Sequence, residues 1–252
     1  MFNFGAGTLI GIPTNDSSGA AVANPTPARL GVMQDISVDL SVEIKTLYGA
    51  SRYPVAVGQG KGKIEIKAKY ADIDAGVLGS LFLGKTAAGT VKAPVLDFAA
   101  TIPTTPFQVT IAPPSSGTYV ADLGVTNATT GAVLTRVASA PATGQYSVNT
   151  GTGVYTFAAA DTGLGVKISY EYTASVAAAR NYTLTNDLMG YTPSFAAVFL
   201  NSYDGKSLAL KLNRCVSGKL ALPLKNEDFA VYDFEAEAFA DAAGNIGYIT
   251  LF

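Results

Sequence analysis

The chain has 252 residues and a formal net charge of −2, and 48% of its residues are hydrophobic whereas 14% are charged. Typical soluble domains carry about 25% charged residues, so this chain has little charge with which to cover the surface of a monomer. No apolar run approaches the roughly 18 residues of a membrane-spanning helix, and the charge excludes a strongly basic nucleic-acid-binding domain. We therefore expect the excess hydrophobicity to lie in protein interfaces, and the protein to be an oligomer.

The N-terminal segment 1–34 is rich in Gly, Pro, Asn and Ser, a composition that predicts a loop or an arm. Two interpretations stay open: an arm that reaches a neighbouring subunit, or a plain terminus. The first twelve residues lack the positively charged start and the sustained apolar core of a signal peptide. We therefore expect the protein to remain in the cytoplasm in which it is made.

A strictly alternating segment follows at 36–48. From residue 36 to residue 45, apolar side chains alternate with polar ones, which is the period-two pattern of a half-buried strand. A Gly-rich loop is predicted at 49–62, and a second strand at 61–70 again alternates charged with apolar residues. The two strands predict a long β-hairpin. The side chains predicted to face the core are Ile36, Val38, Leu40, Val42 and Ile44.

One helix is predicted at 72–83, directly after the hairpin. Asp72 favours a helix N-terminus, and Ile73, Val77 and Leu81 recur at helical spacing. We predict that this is the one helix that flanks an otherwise all-β chain.

Residues 85–180 are poor in charge and rich in Ala, Thr, Gly and Pro, with short β-like runs between turn residues. This pattern predicts a β-rich insert, which is either a small β-sandwich or an elaborated sheet. One form of the sandwich would be immunoglobulin-like. Its best-defined piece, 153–172, is predicted to be two aromatic strands joined across a turn. The remaining residues, 1–84 and 181–252, suffice for one compact domain. The predicted insert strands are 107–111, 119–125, 132–137, 154–157 and 166–172.

The C-terminal part again alternates in short strands. Asp204-Gly205 is a favourable dipeptide for a tight turn between the first two of them. The predicted strands are 195–200, 207–213, 218–222, 229–239 and 248–252.

The composition offers little to catalysis. The chain has no His, so the usual general base at neutral pH is missing, and its one cysteine, Cys215, excludes both an intrachain disulfide and a Cys/His metal site. We expect that thiol to be buried. Acidic residues 233, 235 and 237 share one strand face, which favours a solvated or interface surface over an active site. The glycines of 58–63 lead into a strand, which argues against a phosphate loop. We expect no enzymatic activity, no metal and no cofactor.

Three runs in residues 1–84 carry a family resemblance. The most specific is KTLYG at 45–49 with YPVAVGQGKGK at 53–63, and the others are PARLGVMQDISVD at 27–39 and FGAGTLIG at 4–11. These runs resemble the tail tube (major tail) proteins of long, non-contractile-tailed bacteriophages. Residues 181–252 resemble that family only in their general strand pattern, and the insert departs from a minimal tube subunit.

The resemblance implies a virion structural protein that forms hexameric rings, which stack into the conduit through which DNA is ejected. It implies a β-barrel or sandwich core flanked by a helix, whose long strands join across subunits into a continuous inner barrel. The implied partners are further copies of the chain, the tape measure, tail tip and terminator proteins, and double-stranded DNA in transit, with no membrane. The implied location is the virion tail, after assembly in the host cytoplasm.

The polar face of the hairpin is the expected inner wall of such a conduit. A wall whose lysines neutralised many phosphates would release counterions and hold the duplex, so we expect an inner face that is neutral or acidic. Ring-to-ring contacts are expected from the loop 49–62 and the arm 1–34. The candidates for facing the lumen are Ser37, Asp39, Ser41 and Glu43.

Lysines alternate along the second hairpin strand, and acidic residues gather near the C-terminus. We hypothesise that the two sets meet within or between subunits; the alternative is two solvated faces without partners. Exposed ion pairs contribute only about 0–1 kcal/mol each, so pairing would set register more than stability. The candidate subunit-interface residues are Lys61, Lys63, Lys67, Lys69, Asp233, Glu235, Glu237, Tyr48, Tyr53 and Pro54.

Two other classes of protein are weighed against the tube subunit. A carbohydrate-binding adhesive or decoration module of a virion or cell surface would use the aromatic insert to bind sugars and would stay a monomer or small oligomer. A hydrolase within a tail structure is disfavoured because His and a recognisable carboxylate motif are missing. Neither class accounts for the run at 27–63.

Overall fold

The computed structural model describes residues 5–72, 75–187, 189–223 and 226–252. The chain divides into two compact units, Met1–Thr86 with Tyr182–Phe252, and Ala87–Asn181. The second unit begins two residues later and ends one residue later than the insert expected from composition. Phe4 of the family runs and Ile73 and Asp74 of the predicted helix lie outside the described residues.

Fifteen strands are found in the described ranges, together with one helix, Val77–Leu83, and two short 3-10 turns, Pro114–Ser116 and Ala159–Asp161. The prediction of an all-β chain with one helix is confirmed. In chain order the strands are β1 (Thr8–Asn15), β2 (Ala28–Arg29), β3 (Met33–Tyr48), β4 (Pro54–Tyr70), β5 (Thr90–Thr101), β6 (Gln108–Thr110), β7 (Thr118–Asn127), β8 (Thr135–Arg136), β9 (Gln145–Asn149), β10 (Val154–Phe157), β11 (Gly165–Ser175), β12 (Ser194–Tyr203), β13 (Lys206–Ala221), β14 (Tyr232–Ala238) and β15 (Gly247–Leu251).

The first unit is built on an eight-stranded sheet in the order β2-β1-β12-β13-β14-β4-β3, with β15 beside the first half of β13. Its strand pairs are antiparallel. As far as the structure describes the chain, the sheet does not close, because β2 and β3 lie at its two ends. The closed-barrel form of the predicted core is therefore wrong for a single chain.

The prediction of a loop or arm over 1–34 is wrong for its middle part, because β1 pairs with β12 along its whole length. Leu9, Gly11 and Pro13 alternate into the interior of the unit. Glycine and proline obscured this period in the sequence because neither carries the bulky apolar side chain that marks a buried strand position.

The helix packs on the inner face of the sheet through Val77 and Leu81, which are fully buried. It is a wide π-type turn that ends at Gly84, whose φ of 62° closes the last turn. Its beginning lies later than the predicted residue 72.

Cys215 is also fully buried in this core, as expected, and desolvation raises the pKa of its thiol to about 12.

The predicted hairpin is present as β3 and β4, but the predicted loop 49–62 is too long. β4 begins at Pro54, so the connecting loop is 49–53 and the glycines of 58–62 belong to a strand. Register shifts between Val42 and Ile44, and again between Leu47 and Tyr48, absorb the extra residues of β4. Glycine inside a strand weakens it without ending it, and the flanking residues complete the pairing.

The insert forms two sheets, β5-β11-β7 and β6-β10-β9-β8, whose inner faces share one apolar core. The prediction that 153–172 is a hairpin is wrong: β10 pairs with β6 and β9, whereas β11 pairs with β5 and β7. The turn Ala159–Asp161 instead carries the chain from one sheet to the other. The parallel pair β8–β9 departs from the antiparallel sheets of an immunoglobulin domain.

The pattern also missed two insert strands, β5 and β9. Pro94 lies inside β5, which is the outer strand of its sheet, where proline is tolerated. In the C-terminal part, Asp204 and Gly205 form the predicted turn with φ values of 51° and 70°. The predicted strands 207–213 and 218–222 are halves of the single strand β13.

Candidate subunit interface and inner wall

The β3–β4 hairpin extends beyond the sheet that carries it. β14 pairs with β4 only over residues 64–70, so the outer half of the hairpin has no third strand beside β4 in the described part of the chain. All residues from 39 to 63 are exposed. The outer half is thus a two-stranded ribbon, which in water is marginally stable at best without a packing partner.

One face of this ribbon is apolar and uncovered. Leu40, Val42 and Ile44 are 59%, 49% and 69% exposed, so the prediction that they lie in the core is wrong for the chain alone. Ile36 and Val38, nearer the sheet, do pack against the core. Further apolar residues exposed along the hairpin are Leu47, Tyr48, Tyr53, Val55 and Val57.

An apolar groove of about 310 Å³ continues this face into the sheet. On one side it is lined by Ile36, Val38 and Leu40 of β3. The opposite side belongs to β12, β13 and β15, with Phe199, Leu208, Leu210 and Ile249. The uncovered surface therefore includes both the hairpin and the strands that it faces.

β3 is also the end strand of the sheet, and its outer backbone edge runs for 16 residues without a partner strand among the residues described. An edge of this length is a ready template for pairing with another chain. Natural monomers shield such edges with short strands, prolines or covering loops. The unpaired edge and the uncovered apolar face therefore belong to the same strand, β3, and both are open to contact with another chain.

The opposite face of the hairpin is polar and carries the four candidates for facing the lumen. Ser37, Asp39 and Ser41 stand directly opposite Lys67, Glu65 and Lys63 on β4, so these six side chains share one face. Glu43 lies at the register shift that follows and is exposed like the others. The structure therefore brings these candidates together, and adds Glu65 to them.

The polar face continues across β14 because β14 pairs with β4. Asp233 lies opposite Lys69, and Glu235 lies opposite Lys67. These residues are more than 160 positions apart in the chain, and the sheet register makes them neighbours. β13 extends the same face by one strand, since Lys219 stands opposite Glu235.

Ion pairs connect the lysines of this face to its acids. Lys63 contacts Glu65 and lies 3.5 Å from Glu237, and Lys67 lies 3.3 Å from Glu65 and 3.7 Å from Asp39. The hydrogen bond to Glu65 raises the pKa of Lys63, and Lys63 in turn lowers the pKa of Glu65. Of the pairing between this lysine strand and the C-terminal acids that the sequence suggested, one contact, Lys63 with Glu237, occurs within the chain, whereas Lys67 pairs with acids of the hairpin itself.

Lys219 completes this network, which we call the charge ladder. Its Nζ atom lies 3.0 Å from Oε1 of Glu235, a contact that raises the pKa of Lys219. The sequence did not identify Glu65 and Lys219 as site residues. Each joins this face because of the residue opposite it on the neighbouring strand, and neither belongs to a sequence motif. By register, the ladder comprises Asp35, Asp39, Lys63, Glu65, Lys67, Lys69, Lys219, Asp233, Glu235 and Glu237.

The remaining interface candidates lie toward the end of the hairpin. Tyr48 stands opposite Pro54, and Tyr53 belongs to the connecting loop. Lys61 lies in the register shift near Ile44, on the exposed part of β4. These four residues are separate from the charge ladder and form the outer part of the hairpin.

Most of the aromatic side chains of the insert are buried, although Phe98 is exposed. Tyr155, Phe157 and Tyr170 lie in its core. The hydroxyl groups of Tyr146 and Tyr155 donate hydrogen bonds to the carboxylate of Asp122, at 2.8 Å and 2.9 Å. These rings hold the two sheets together, so they do not offer an open stacking surface to a sugar.

In the part of the chain that is described, no helix is long and apolar enough to cross a membrane. The same residues contain no group of three or more His, Cys, Asp or Glu side chains arranged to hold a metal ion. A scan against models of protein families finds no match, and a search of curated proteins finds none either.

Proposed function

We propose that this chain is a virion structural protein that associates with further copies of itself into rings, and that the rings stack into a phage tail tube. The observation that carries the proposal is the extended hairpin, whose residues 39–63 are all exposed although one of its faces is apolar. The family resemblance of 27–63 covers this same hairpin. The hexameric state of the ring and the role in DNA ejection are proposed from the family resemblance.

The energetics of the apolar face favour association. Leu40, Val42 and Ile44 are 49–69% exposed, so burying the rest of each would contribute roughly 1–2 kcal/mol, a little over half of the value for a fully exposed side chain. Association costs an estimated 4–15 kcal/mol in translational and rotational freedom, so three such side chains per interface approach the lower part of that range. The groove and the outer apolar residues of the hairpin supply the remainder.

The edge of β3 supports a ring rather than a simple pair of subunits. The strand at one end of the sheet is long, whereas the strand at the other end, β2, has two residues. If the long β3 edge pairs with a different strand of the next subunit, the association is head-to-tail and closes into a ring when the rotation between subunits permits, whereas pairing of β3 with its own copy would give only a dimer. Such closure removes the free edge and forms a continuous inner barrel, as the resemblance implies.

The charge ladder supports its assignment to the inner wall. It has six acidic and four basic residues, a net of −2, and three of its four lysines lie within 4.0 Å of a carboxylate oxygen. A wall of this kind lets double-stranded DNA pass because it releases few counterions from the phosphates. The proposed partners are the chain itself, the tape measure, tail tip and terminator proteins, and DNA in transit; the proposed location is the virion tail, assembled in the host cytoplasm.

The proposal is tested by negative-stain electron microscopy and light scattering of the purified protein at high concentration. We expect hollow rings or tubes with a bore wide enough for duplex DNA. Val42→Asp should abolish them, whereas Ser41→Asp, which adds the same charge on the opposite face, should retain them. A dispersed monomer at every salt and protein concentration, or tubes that form despite Val42→Asp, would contradict the proposal.

A further inference from the structure

The lysines of the charge ladder lie close to acids. Lys63, Lys67 and Lys219 each lie within 4.0 Å of at least one carboxylate oxygen, and each remains about half exposed. Such lysines are accessible to a large anion, but that anion would meet a carboxylate at each of them. A carboxylate beside each lysine opposes the Coulomb attraction that the lysine alone would exert on a phosphate.

Three glutamates make most of these contacts. Glu65 bridges Lys63 and Lys67, which flank it on the same strand. From β14, Glu237 contacts Lys63 and Glu235 contacts Lys219. Because paired strands lie about 4.8 Å apart, each of these lysines is well within one Debye length, about 10 Å at about 0.1 M salt, of the carboxylates on the neighbouring strand, so a phosphate that approaches a lysine also senses those carboxylates.

We propose that Glu65, Glu235 and Glu237 mask Lys63, Lys67 and Lys219, and that this face is a latent site for double-stranded DNA from which the glutamates prevent retention. Duplex DNA is the partner considered because the proposed function, on which the inference rests, directs DNA along this wall. Removing the three carboxylates changes the charge of the ladder from −2 to +1 and leaves four lysines on one face of the sheet.

The alternative is that the glutamates only align the strands. That role predicts a loss of stability when they are removed, without any gain of DNA binding. Exposed ion pairs contribute little to stability, so stability alone gives a weak physical reason for placing three glutamates beside lysines on one face. The two roles are separated by a DNA-binding measurement.

The experiment compares two triple variants that have the same net charge. The ladder variant is Glu65→Gln, Glu235→Gln and Glu237→Gln. The control variant is Glu171→Gln, Asp204→Asn and Glu227→Gln, whose residues lie outside the ladder. The probe is a short fluorescently labelled DNA duplex, and binding is followed by fluorescence anisotropy during a NaCl titration, with folding checked by circular dichroism.

We expect negligible DNA binding by the unmodified protein and by the control variant. The ladder variant should bind the duplex, and the logarithm of its affinity should fall with the logarithm of salt concentration with a slope of about −2 to −3, as for two or three neutralised phosphates. Adding Lys67→Gln to the ladder variant should make that slope shallower by about one.

A folded ladder variant that does not bind the duplex would overturn the inference, and so would equal binding by the control variant. The measurement does not require rings, so its result is separate from that of the tube proposal. Tubes without a gain of DNA binding would remove only the masking role, whereas a gain of binding without tubes would support masking and contradict the tube.

Discussion

Gly11 of β1 lies against Leu81 of the helix so closely that a side chain at position 11 has no room. An added Cβ would lie within 3.0 Å of both terminal methyl carbons of Leu81, which is fully buried and cannot turn away. Gly11→Ala should therefore destabilise the protein by about 1–3 kcal/mol through overpacking. Gly218→Ala is the control, because nothing lies within 4 Å of a Cβ there. Urea unfolding should separate the two variants, and equal stabilities would contradict this packing.

Lys67 and Lys69 are expected to matter for assembly more than for folding. Lys67 pairs with Glu65 and Asp39, and Lys69 stands in register between Asp35 and Asp233. Reversing both lysines to glutamate places like charges side by side, which costs only about 0.2–1 kcal/mol per pair in an exposed sheet. We expect a folded monomer that no longer forms tubes. Lys92→Glu with Lys167→Glu in the insert is the matched control; normal tubes from the Lys67 and Lys69 reversal would rule out the role.

The hydroxyl of Tyr155 donates to the carboxylate of Asp122 inside the insert. Tyr155→Phe removes a hydrogen bond to a charged group and should reduce the free energy of unfolding by about 1.5–3 kcal/mol. Tyr172→Phe, on the neighbouring sheet, should change it by less than about 0.5 kcal/mol. Chemical unfolding followed by tyrosine fluorescence measures both, and a neutral Tyr155→Phe would show that the network does not stabilise the insert.

Cys215 gives the protein a predicted sensitivity to alkaline pH. Burial raises the pKa of its thiol from the ordinary 9.0 to about 12, so the folded protein keeps the proton while the unfolded chain loses it. The contribution of the protonated thiol to the free energy of unfolding is fully present below pH 9 and is lost as the pH rises from 9 toward 12. The free energy of unfolding should fall by at most about 1.4 kcal/mol per pH unit in this range.

Cys215→Ala should reduce that slope, although the protein is less stable at neutral pH because a cavity remains. The measurement is urea unfolding of the unmodified protein and of the variant at several alkaline pH values. The difference between their free energies of unfolding is taken at each pH, because the ionisation of tyrosines contributes equally to both proteins and cancels. A slope that is the same in both proteins would exclude Cys215 as its source.

The alternation at 36–45 and 61–70 was enough to predict two paired strands, because side chains on a strand point alternately to its two faces. It was not enough to predict burial. Leu40 and Val42 follow the same pattern as Ile36 and Val38, yet only the inner pair is covered. Period two identifies which side chains share a face, and a neighbouring element decides whether that face is covered.

Strand pairing was likewise beyond the sequence pattern. β10 and β11 are adjacent in the chain and were predicted to pair, but they belong to different sheets. In contrast, β4 and β14 are distant in sequence and pair directly. Local propensity acts within a strand, whereas the choice of partner depends on backbone hydrogen bonds and packing across the whole unit.

The sequence by itself determined the all-β class with one helix, the hairpin, its polar and apolar faces, and the residues that form the candidate inner wall. These follow from composition and from period two, which are local properties of the chain. Only the tertiary structure decided that Glu65 and Lys219 join the lysines and acids in one charge ladder, and that residues 39–63 extend beyond the sheet. The physical reason is that sheet register sets which charges meet, and register is a property of how distant strands pair.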